Sequence, residues 1–382
     1  MQRSLKIGID ARLITYRRGM GNFTYNLLVE LAKLSTPHNY ILYVDDPSAI
    51  QAVPACPRYT VKVLQPKFYP VWEQTVLPRQ VQKDQLDLLH CPANTAPLKF
   101  IPNTKLLLTI HDVMYLMPLK TLPLSPSWYQ RLGRLYRRLV VPYVARRAAL
   151  ITTVSEQSRR DIVAYLGNLS APLVVVPEAA SSTFQRLPEE RLLQIKATYA
   201  LTQKVILALG GVDPRKNTRR ILEAFAQFQA QAPRSYQLLL VGLSPMVQAE
   251  YGELARKLGI ENALVMTDFI PEADLVALYN VADMFLYPSL YEGFGLPVLE
   301  AMACGAPVIS ANRTAIPELA GDAALLIDPL DTAMLTNAMR QLAEDEPFRQ
   351  TLITRGLAQS KKFSWANAAR ATLALYEEVG AQ

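Results

Sequence analysis

Residues 284–310 read MFLYPSLYEGFGLPVLEAMACGAPVIS, and this stretch indicates the fold of the chain. An apolar strand ends at Pro288, and after a loop with two glycines a helix starts near Leu296. The helix ends at Gly305, because glycine suits the position after a helix C-terminus, and the strand Pro307–Ser310 follows. A strand, a glycine loop, a helix and a second strand in this order are typical of a parallel α/β sheet with helices on its faces.

Two carboxylates lie on either side of this glycine loop. Glu292 precedes the loop and Glu300 follows it, with seven residues between them. Gly293 and Gly295 allow a ligand to approach the backbone, and N–H groups at a helix start can bind sugar hydroxyls or phosphate. One carboxylate can accept hydrogen bonds from a sugar and the other from a ribose diol. Alone, each Glu is an ordinary turn or solvated helix residue, so the complete string carries the functional argument.

The same alternation of strand and helix extends along the whole chain. Leucine-rich or β-branched runs predict seven strands in the first half: Leu5–Asp10, Tyr40–Val44, Thr60–Leu64, Leu86–His90, Lys105–Ile110, Leu150–Val154 and Leu173–Val176. They predict five in the second half: Val205–Leu209, Gln237–Val241, Ala263–Thr267, Met284–Tyr287 and Pro307–Ser310. Helical patterns such as Asn217–Gln231 and Met246–Leu258 lie between them. The pattern predicts an α/β protein with parallel sheets covered on both faces.

The length and a break in the pattern predict two domains. A chain of 382 residues is longer than one ordinary core requires. The segment near Ala180–Pro188 interrupts the strand and helix pattern with small and polar residues and a proline. We therefore predict two Rossmann-like doubly wound domains, residues 1–185 and 186–361. Ligands bind beyond the carboxyl ends of the strands in such sheets, which predicts a site in the cleft between the domains.

Charge is unevenly distributed between the two halves. Residues 1–185 contain 22 Lys and Arg against 11 Asp and Glu, a net charge of +11, and the remaining residues contain 18 against 22, a net charge of −4. The basic half predicts an anionic partner, such as a nucleic acid, an anionic membrane or a phosphorylated small molecule. Neither a signal-peptide pattern nor an apolar run of roughly 20 residues is present, which predicts a cytoplasmic protein.

The first glycine loop in chain order follows the first predicted strand. Gly19 and Gly21 precede a helix that is expected to begin near Asn22, and N–H groups at such a helix start can bind an anion. Arg17 and Arg18 add positive charge beside the loop. The third glycine of a dinucleotide fingerprint is missing, so a structural turn fits the loop as well as a phosphate site does.

The stretch 284–310 resembles the signature of the family-4, or group 1, glycosyltransferases, in which a Glu-x7-Glu motif is carried on EGFGLPxLEAMA. Three more segments resemble landmarks of this family: LLLTIHD ending in His111-Asp112, TVSEQSRRDI at Thr153–Ile162 and LALGGVDPRKN at Leu207–Asn217. The resemblance covers essentially the whole chain. It implies the GT-B fold, in which two Rossmann-like domains face each other across a cleft and the last helix, here residues 362–382, crosses back to the first domain.

The resemblance also assigns roles to individual residues. Arg215 and Lys216 would bind the donor diphosphate, Glu300 the ribose and Glu292 the transferred sugar. His111 would lie at the reacting face. The complete donor-binding set is Gly19, Gly21, Arg215, Lys216, Glu292, Gly293, Phe294, Gly295, Leu296 and Glu300. Two positions depart from the family pattern: Gly211 would remove one phosphate contact, and Ala179 replaces a common glycine.

The expected chemistry needs positive charge around the leaving group. Cleavage of a sugar–phosphate bond leaves negative charge on the diphosphate, which fixed cations and N–H groups stabilise. The sequence contains no Asp-x-Asp motif and no other metal-ligand spacing, so we expect neither a cofactor nor an essential metal. We expect Asp112 to orient His111. The resemblance implies retention of anomeric configuration, and the DPRKN loop is similar to that of bacterial mannosyl- and rhamnosyltransferases, which favours GDP-mannose as donor.

A basic helix is predicted within residues 127–149. No acidic residue occurs from Val113 to Ser155. Trp128, Leu132, Leu135 and Leu139 share one face, with arginines to one side, and Pro142 is expected to kink or interrupt the helix. The helix either docks on an anionic membrane, which would place the protein on the inner membrane face near a lipid-linked acceptor, or packs on its own sheet, which is slightly favoured.

Several alternative functions remain at this point. A nicotinamide oxidoreductase would use the first glycine loop and Asp45, but leaves Arg215, Lys216 and Glu292 unexplained. A sugar-nucleotide epimerase or a non-catalytic scaffold could use the same fold. A nucleic-acid partner is not favoured, because the arginines are not interleaved with stacking aromatic residues. The expected partners are therefore a nucleotide sugar and a glycan or lipid-linked acceptor.

Overall fold

A computed structural model describes residues 3–16, 19–99, 101–118, 128–211 and 213–381. These residues pack as two compact units. We call them the N-terminal domain, which comprises described residues within 1–117, 129–178 and 364–382, and the C-terminal domain, within 118–128 and 179–363. Arg17, Arg18 and the first residue of the predicted basic helix, Ser127, lie outside the described residues. The domain limits at residues 185 and 361 stay a prediction.

The N-terminal domain is built on a parallel sheet of seven strands. These are β1 (Lys6–Asp10), β2 (Asn39–Val44), β3 (Tyr59–Val63), β4 (Leu88–Cys91), β5 (Lys105–Thr109), β6 (Leu150–Thr153) and β7 (Leu173–Val175). The helices are α1 (Met20–Lys33), α2 (Ala49–Ala52), α3 (Tyr69–Val71), α4 (Leu77–Asp84), α5 (Trp128–Ala145) and α6 (Glu156–Leu166). The strand order is β3-β2-β1-β4-β5-β6-β7. It reverses direction between β1 and β4, as in doubly wound sheets.

The C-terminal domain repeats this design with six parallel strands. These are β8 (Lys204–Leu209), β9 (Tyr236–Val241), β10 (Leu264–Thr267), β11 (Met284–Tyr287), β12 (Val308–Ala311) and β13 (Ala324–Ile327). The helices are α7 (Glu189–Thr198), α8 (Thr218–Gln229), α9 (Pro245–Leu258), α10 (Glu272–Val281), α11 (Leu296–Ala303), α12 (Ile316–Ala320), α13 (Thr332–Glu344) and α14 (Glu346–Ser360). The order β10-β9-β8-β11-β12-β13 is that of the dinucleotide-binding fold, with its switch point between β8 and β11.

Both sheets are buried on their two faces. Ile7, Ile9 and Leu107 in one sheet and Ile206 and Leu286 in the other are fully buried. Burial of one such side chain contributes roughly 1.5–3 kcal/mol. The continuous apolar runs that predicted the strands therefore form the two cores, as in parallel sheets covered by helices.

The predicted α/β fold with two Rossmann-like sheets is confirmed. Each predicted strand is present within two residues of its predicted limits. The strand β13 was not predicted, and α1 begins at Met20 rather than near Asn22. The helix α5 continues through Pro142 to Ala145, so Pro142 does not interrupt it, and the alternative effect of this proline, a kink, stays a prediction. No helix in the described ranges is long and apolar enough to cross a bilayer.

The helix α5 presents its apolar stripe outward. Val140, Val141 and Val144 are buried in the core of the N-terminal domain. Leu132 and Leu139, by contrast, are 55% and 70% exposed. The slightly favoured expectation that this stripe packs on the sheet is therefore wrong, because a second apolar face of the same helix makes that contact.

The C-terminal helix α15 (Trp365–Ala381) packs within the N-terminal domain. Its buried Tyr376 directs its hydroxyl to Nδ1 of His90 at the end of β4, at 2.7 Å. Trp365 makes an edge-to-face contact with Phe23 of α1, with ring centroids 5.6 Å apart. These contacts bring the end of the chain onto α1 and β4.

Candidate active site

The switch point of the C-terminal domain brings two site segments together. Strands β8 and β11 are hydrogen-bonded neighbours. The loop after β8 carries Arg215 and Lys216, and the loop after β11 carries Glu292. A hydrogen bond from the Leu290 N–H to the carbonyl oxygen of Arg215, at 2.9 Å, joins the two loops. Residues about 75 positions apart therefore form one rigid edge, at the place where doubly wound folds bind ligands.

The loop after β8 turns sharply before α8. Asp213 accepts the Arg215 N–H at 3.0 Å and caps a single helical turn over Pro214–Lys216. Asn217 then adopts a left-handed conformation with φ 60°, which asparagine tolerates better than most residues. Its side-chain amide donates to the carbonyl oxygens of Pro288 and Pro329, at 3.1 and 2.7 Å. The sequence DPRKN thus fixes the two cations at the carboxyl edge of the sheet.

Glu292 is the centre of the cluster. Its Oε1 accepts hydrogen bonds from Lys216 Nζ at 3.0 Å, from the Tyr287 hydroxyl at 2.7 Å and from the Ser289 hydroxyl at 2.7 Å. Its Oε2 accepts from Arg215 Nη1 at 3.1 Å. The carboxylate is buried and fully hydrogen-bonded, as a buried charge must be.

The electrostatics of the cluster keep Glu292 ionised. Burial raises the pKa of Glu292, but the charges of Lys216 and Arg215 and the hydroxyl hydrogen bonds outweigh burial and lower it to about 2. Burial lowers the pKa of Lys216, and the neighbouring Arg215 charge adds to this effect. Arg215 also pairs with Asp213 at 3.2 Å. Two cations thus face two carboxylates at this edge.

The glycine loop after Glu292 is fixed by its own packing. Gly295 has a φ of +109°, and a Cβ there would lie 2.5 Å from Ile316 Cδ1. It immediately precedes the first helical residue, Leu296. Phe294 is buried and packs edge-to-face on Phe363, with centroids 5.8 Å apart. Glycine at position 295 is therefore required for the helix start itself, and the first N–H groups of a helix can bind an anion.

Glu300 lies one turn into α11 and is buried. Its Oε2 accepts a hydrogen bond from the Tyr279 hydroxyl at 3.3 Å. A buried carboxylate on this helix is not the solvated residue that an isolated glutamate would be. If a ligand displaces some of the groups that now surround the carboxylate, the Glu300 oxygens can accept hydrogen bonds from a diol of that ligand.

The first glycine loop lies at the equivalent edge of the N-terminal domain. Gly19 has a φ of +48° and directly precedes α1. A Cβ on Gly21 would lie 1.9 Å from the carbonyl oxygen of Tyr16. Gly21 is thus required by the tight turn between β1 and α1, which is the structural alternative. The start of α1 still presents N–H groups, with no acidic residue in its first turn.

His111 follows β5 at the same carboxyl edge. Phe23 of α1 packs edge-to-face on its ring, with centroids 4.8 Å apart, so the glycine loop and the histidine share a neighbour. The His111 N–H donates to Asn94 Oδ1 at 2.7 Å, and its carbonyl oxygen accepts from the Ser158 hydroxyl at 2.8 Å. Ser158 lies in the segment TVSEQSRRDI, which therefore fixes the backbone of His111.

Glu178, rather than Asp112, orients the imidazole. His111 Nδ1 lies 3.0 Å from Glu178 Oε1, and Nε2 lies 2.8 Å from the carbonyl oxygen of Pro92. Asp112 instead accepts the N–H of Met114, so the expectation for Asp112 is wrong. Burial lowers the pKa of His111, but the hydrogen bond and charge of Glu178 outweigh it and raise the pKa above its ordinary value. Both ring nitrogens are engaged within the domain.

Three site residues were missed by the sequence analysis. Tyr287 is the last residue of β11 and Ser289 lies two residues after it, so the available signal was a pair of hydroxyl side chains at the end of a strand. Glu178 follows β7 and lies 67 positions from His111 in sequence. No local sequence pattern indicates the contact between Glu178 and His111. The position of Glu178 after the end of a strand was the one available indication that it lies at the site.

The cavity found in the N-terminal domain lies away from this edge. It has a volume of about 280 Å³ and its lining includes Thr104, Lys105 and Ala149, at the amino ends of β5 and β6. It therefore opens at the amino ends of the strands, opposite His111. Within the described residues, no three His, Cys, Asp or Glu side chains lie close enough together to hold a metal ion.

Comparison with protein families identifies the chain. A model described as "Glycosyl transferases group 1" matches residues 193–359. A second, described as "Glycosyltransferase Family 4", matches residues 17–180. The two matches together cover most of the sequence. The chain belongs to the group 1 glycosyltransferases. The first match contains Arg215, Lys216, Glu292 and Glu300, and the second contains His111.

Two curated relatives of this glycosyltransferase are mannosyltransferases from Escherichia coli. O-antigen chain mannosyltransferase B is 36% identical over 231 residues, which cover 60% of this chain and 61% of that protein. Serotype-specific mannosyltransferase WbdA is 34% identical over 227 residues, 58% of this chain and 28% of that protein. The chain thus spans less than two thirds of the length of either relative.

Solved structures show the GT-B fold of this glycosyltransferase. Sucrose-phosphate synthase from Thermosynechococcus elongatus superimposes with a TM-score of 0.77 at 20% identity, over 99% of this chain and all of that chain. Anabaena HepE, solved in complex with UDP and glucose, gives a TM-score of 0.76 at 20% identity, over 98% of this chain and all of that one. At this identity the comparison concerns the fold alone.

Proposed function

We propose that this glycosyltransferase transfers a mannosyl group from GDP-mannose, with retention of anomeric configuration, to a glycan or lipid-linked acceptor in cell-surface polysaccharide synthesis. The observation that carries the proposal is the Arg215–Lys216–Glu292 cluster at the switch point of the C-terminal domain. The protein is proposed to work in the cytoplasm, on the inner face of the membrane.

The donor diphosphate would bind at Arg215 and Lys216. The planar guanidinium can pair with two phosphate oxygens, and the ammonium adds a point charge. Because Glu292 and Asp213 already balance these cations, N–H groups at the starts of α11 and α1 would share the diphosphate charge. Gly19 precedes the second of these helices, and Gly21 lies in its first turn. Glu300 would accept hydrogen bonds from the ribose.

The transferred sugar would lie against Glu292 and the backbone of Phe294, Gly295 and Leu296. As the bond between the anomeric carbon and the β-phosphate oxygen breaks, negative charge grows on the diphosphate, which the cations stabilise. The acceptor oxygen then bonds to the anomeric carbon on the same face, and its proton passes to the departing phosphate oxygen. In this scheme protein cations supply the charge neutralisation, and neither a metal nor a cofactor takes part.

His111 would contact the sugar through Nε2. Because Nε2 donates to the Pro92 carbonyl oxygen, a sugar hydroxyl can accept this hydrogen bond only by replacing that oxygen. Glu178 would hold the ring in place during the exchange. His111→Ala is expected to lower turnover, and an unchanged rate would remove His111 from the reaction.

The choice of donor rests on the relatives and on one loop. The E. coli relatives are named as mannosyltransferases, and the DPRKN loop that holds Arg215 and Lys216 is intact here. Both observations favour GDP-mannose.

Thermal stability with a set of ligands tests the donor. Purified protein in chelator is heated with GDP-mannose, UDP-glucose, dTDP-glucose, ADP-glucose and NAD. A ligand at a hundred times its Kd stabilises the folded state by roughly 2.7 kcal/mol. We expect a shift with GDP-mannose. A shift with another sugar nucleotide would correct the donor, a shift with NAD alone would favour an oxidoreductase, and no shift with any ligand would favour a non-catalytic scaffold.

A further inference from the structure

We propose that one face of α5 docks the enzyme on a bilayer that contains anionic lipid. This outer face of α5 consists of Trp128, Leu132, Leu135, Leu139 and Tyr143. Their exposed fractions are 71%, 55%, 53%, 70% and 48%. A spacing of three or four residues aligns them in a single stripe along the helix. Contiguous exposed apolar surface of this kind marks an interaction site in a soluble protein.

Within the described residues, the outer face of α5 does not contribute to the hydrophobic core of the N-terminal domain. Val140, Val141 and Val144 make the contact between α5 and the core. Arg134 fixes the helix further by donating to the carbonyl oxygens of Tyr115 and Met117, at 3.2 and 2.6 Å. The helix is thus held by its inner face and one edge, while Leu132, Leu135 and Leu139 are each more than half exposed.

The charges around the stripe match an anionic surface. Arg131 and Arg138 lie along one side of it and Arg146 follows its last turn, and all three are exposed. No acidic residue occurs between Val113 and Ser155. Each Lys or Arg near an anionic membrane contributes attraction, and an amphipathic helix with this arrangement lies in the plane of the interface.

The same charges argue against pairing with a second copy of the chain. Two outer faces packed together would bring arginine rows toward each other. No carboxylate on α5 could neutralise them, and like charges across an interface oppose association. A bilayer accepts both the apolar stripe and the arginines.

Docking of α5 on a bilayer does not depend on the donor, and it rests on the proposed function only for the location of the protein at the inner face of the membrane. It places a membrane beside a glycosyltransferase whose proposed acceptor is lipid-linked. Vesicle binding is measured without any sugar nucleotide, so its failure and the failure of the proposed donor chemistry are separate results.

Co-sedimentation with vesicles tests the proposal. The full chain is mixed with vesicles of phosphatidylcholine alone or with about one third phosphatidylglycerol. We expect binding only to the anionic vesicles, weakened by high salt. Leu132→Ser with Leu139→Ser should weaken binding about tenfold or more, because the inserted apolar area is lost. Arg131→Glu with Arg138→Glu should abolish it.

Matched controls lie on α6, the next helix along the chain. Val163→Ser with Tyr165→Ser removes comparably exposed apolar side chains, and Arg159→Glu with Arg160→Glu makes the same change in net charge. Both controls should bind like the wild type, and all variants should keep the wild-type circular dichroism spectrum and Tm, which shows that they are folded. Equal loss in the α6 and α5 variants, binding that ignores lipid charge, or a wild-type dimer that the leucine variant dissociates without any vesicle binding would overturn the proposal.

Discussion

Glu292 is held in an environment that a free glutamate never meets. Two cations and two hydroxyls surround its buried carboxylate, and its pKa falls to about 2. A carboxyl whose pKa is lowered on folding stabilises the folded state above its unfolded pKa, and this contribution is lost as the pH falls through the folded pKa. For Glu292 this pH window runs from the unfolded pKa of 4.5 down to about 2.

Glu292→Gln should destabilise the C-terminal domain by roughly 3 kcal/mol at neutral pH, because it removes one partner of a buried ion cluster. The difference from the wild type should shrink as the pH falls below 4.5. Urea unfolding at about pH 7 and about pH 3 measures both. An equal loss at the two values would show that the charge of Glu292 is not responsible.

Glu178→Gln should lower the pKa of His111, since Glu178 is the group that raises it against burial. A raised histidine pKa stabilises the fold below the unfolded value of 6.5, and this is lost as the pH rises through the folded pKa. The variant should therefore be less stable than the wild type at mildly acid pH and closer to it at alkaline pH. An NMR titration gives the pKa directly, with His90 as the internal reference, because burial lowers the pKa of His90 to about 3. An unchanged His111 titration would contradict the assignment.

At the scale of single elements, the sequence predicts what a local pattern can encode. Strands β8 and β9 follow from their apolar runs, and α11 follows from its proline and its closing glycine. The strand β13 (Ala324–Ile327) was missed because four residues that begin with alanine fit a helix as well as a strand. For α5 the periodicity of the sequence predicted one apolar face, the outer stripe. It did not reveal the second apolar face at Val140 and Val144, so the sequence did not indicate which of the two faces is buried.

The helix α15 should stabilise the N-terminal domain through Tyr376. Tyr376→Phe leaves Nδ1 of His90 buried without a hydrogen-bond partner, which costs about 1–3 kcal/mol. Tyr165→Phe is the matched control, since Tyr165 is 41% exposed and should change stability little. Urea unfolding followed by circular dichroism compares the two variants. Equal stability of the two would show that this contact does not hold the helix.

At the scale of the whole molecule, contacts between distant segments were beyond sequence reasoning. The doubly wound order predicted that site residues would gather at the carboxyl edges of strands, which is where Arg215, Glu292 and His111 lie. It could not predict that Glu178 would pair with His111 or that Glu292 would pair with both cations. Such contacts depend on how strands order themselves in a sheet, and local sequence encodes that only weakly.

Calorimetric binding of GDP in chelator tests the central claim that the cations at the switch point hold the donor diphosphate. We predict that the wild type binds GDP and that Arg215→Ala and Lys216→Ala each weaken binding about tenfold or more, since each removes a charged contact. Arg219→Ala is the control, because Arg219 lies on the adjoining helix with its side chain 69% exposed. If Arg215→Ala and Lys216→Ala bind GDP as tightly as Arg219→Ala does, the diphosphate lies elsewhere and the account is wrong.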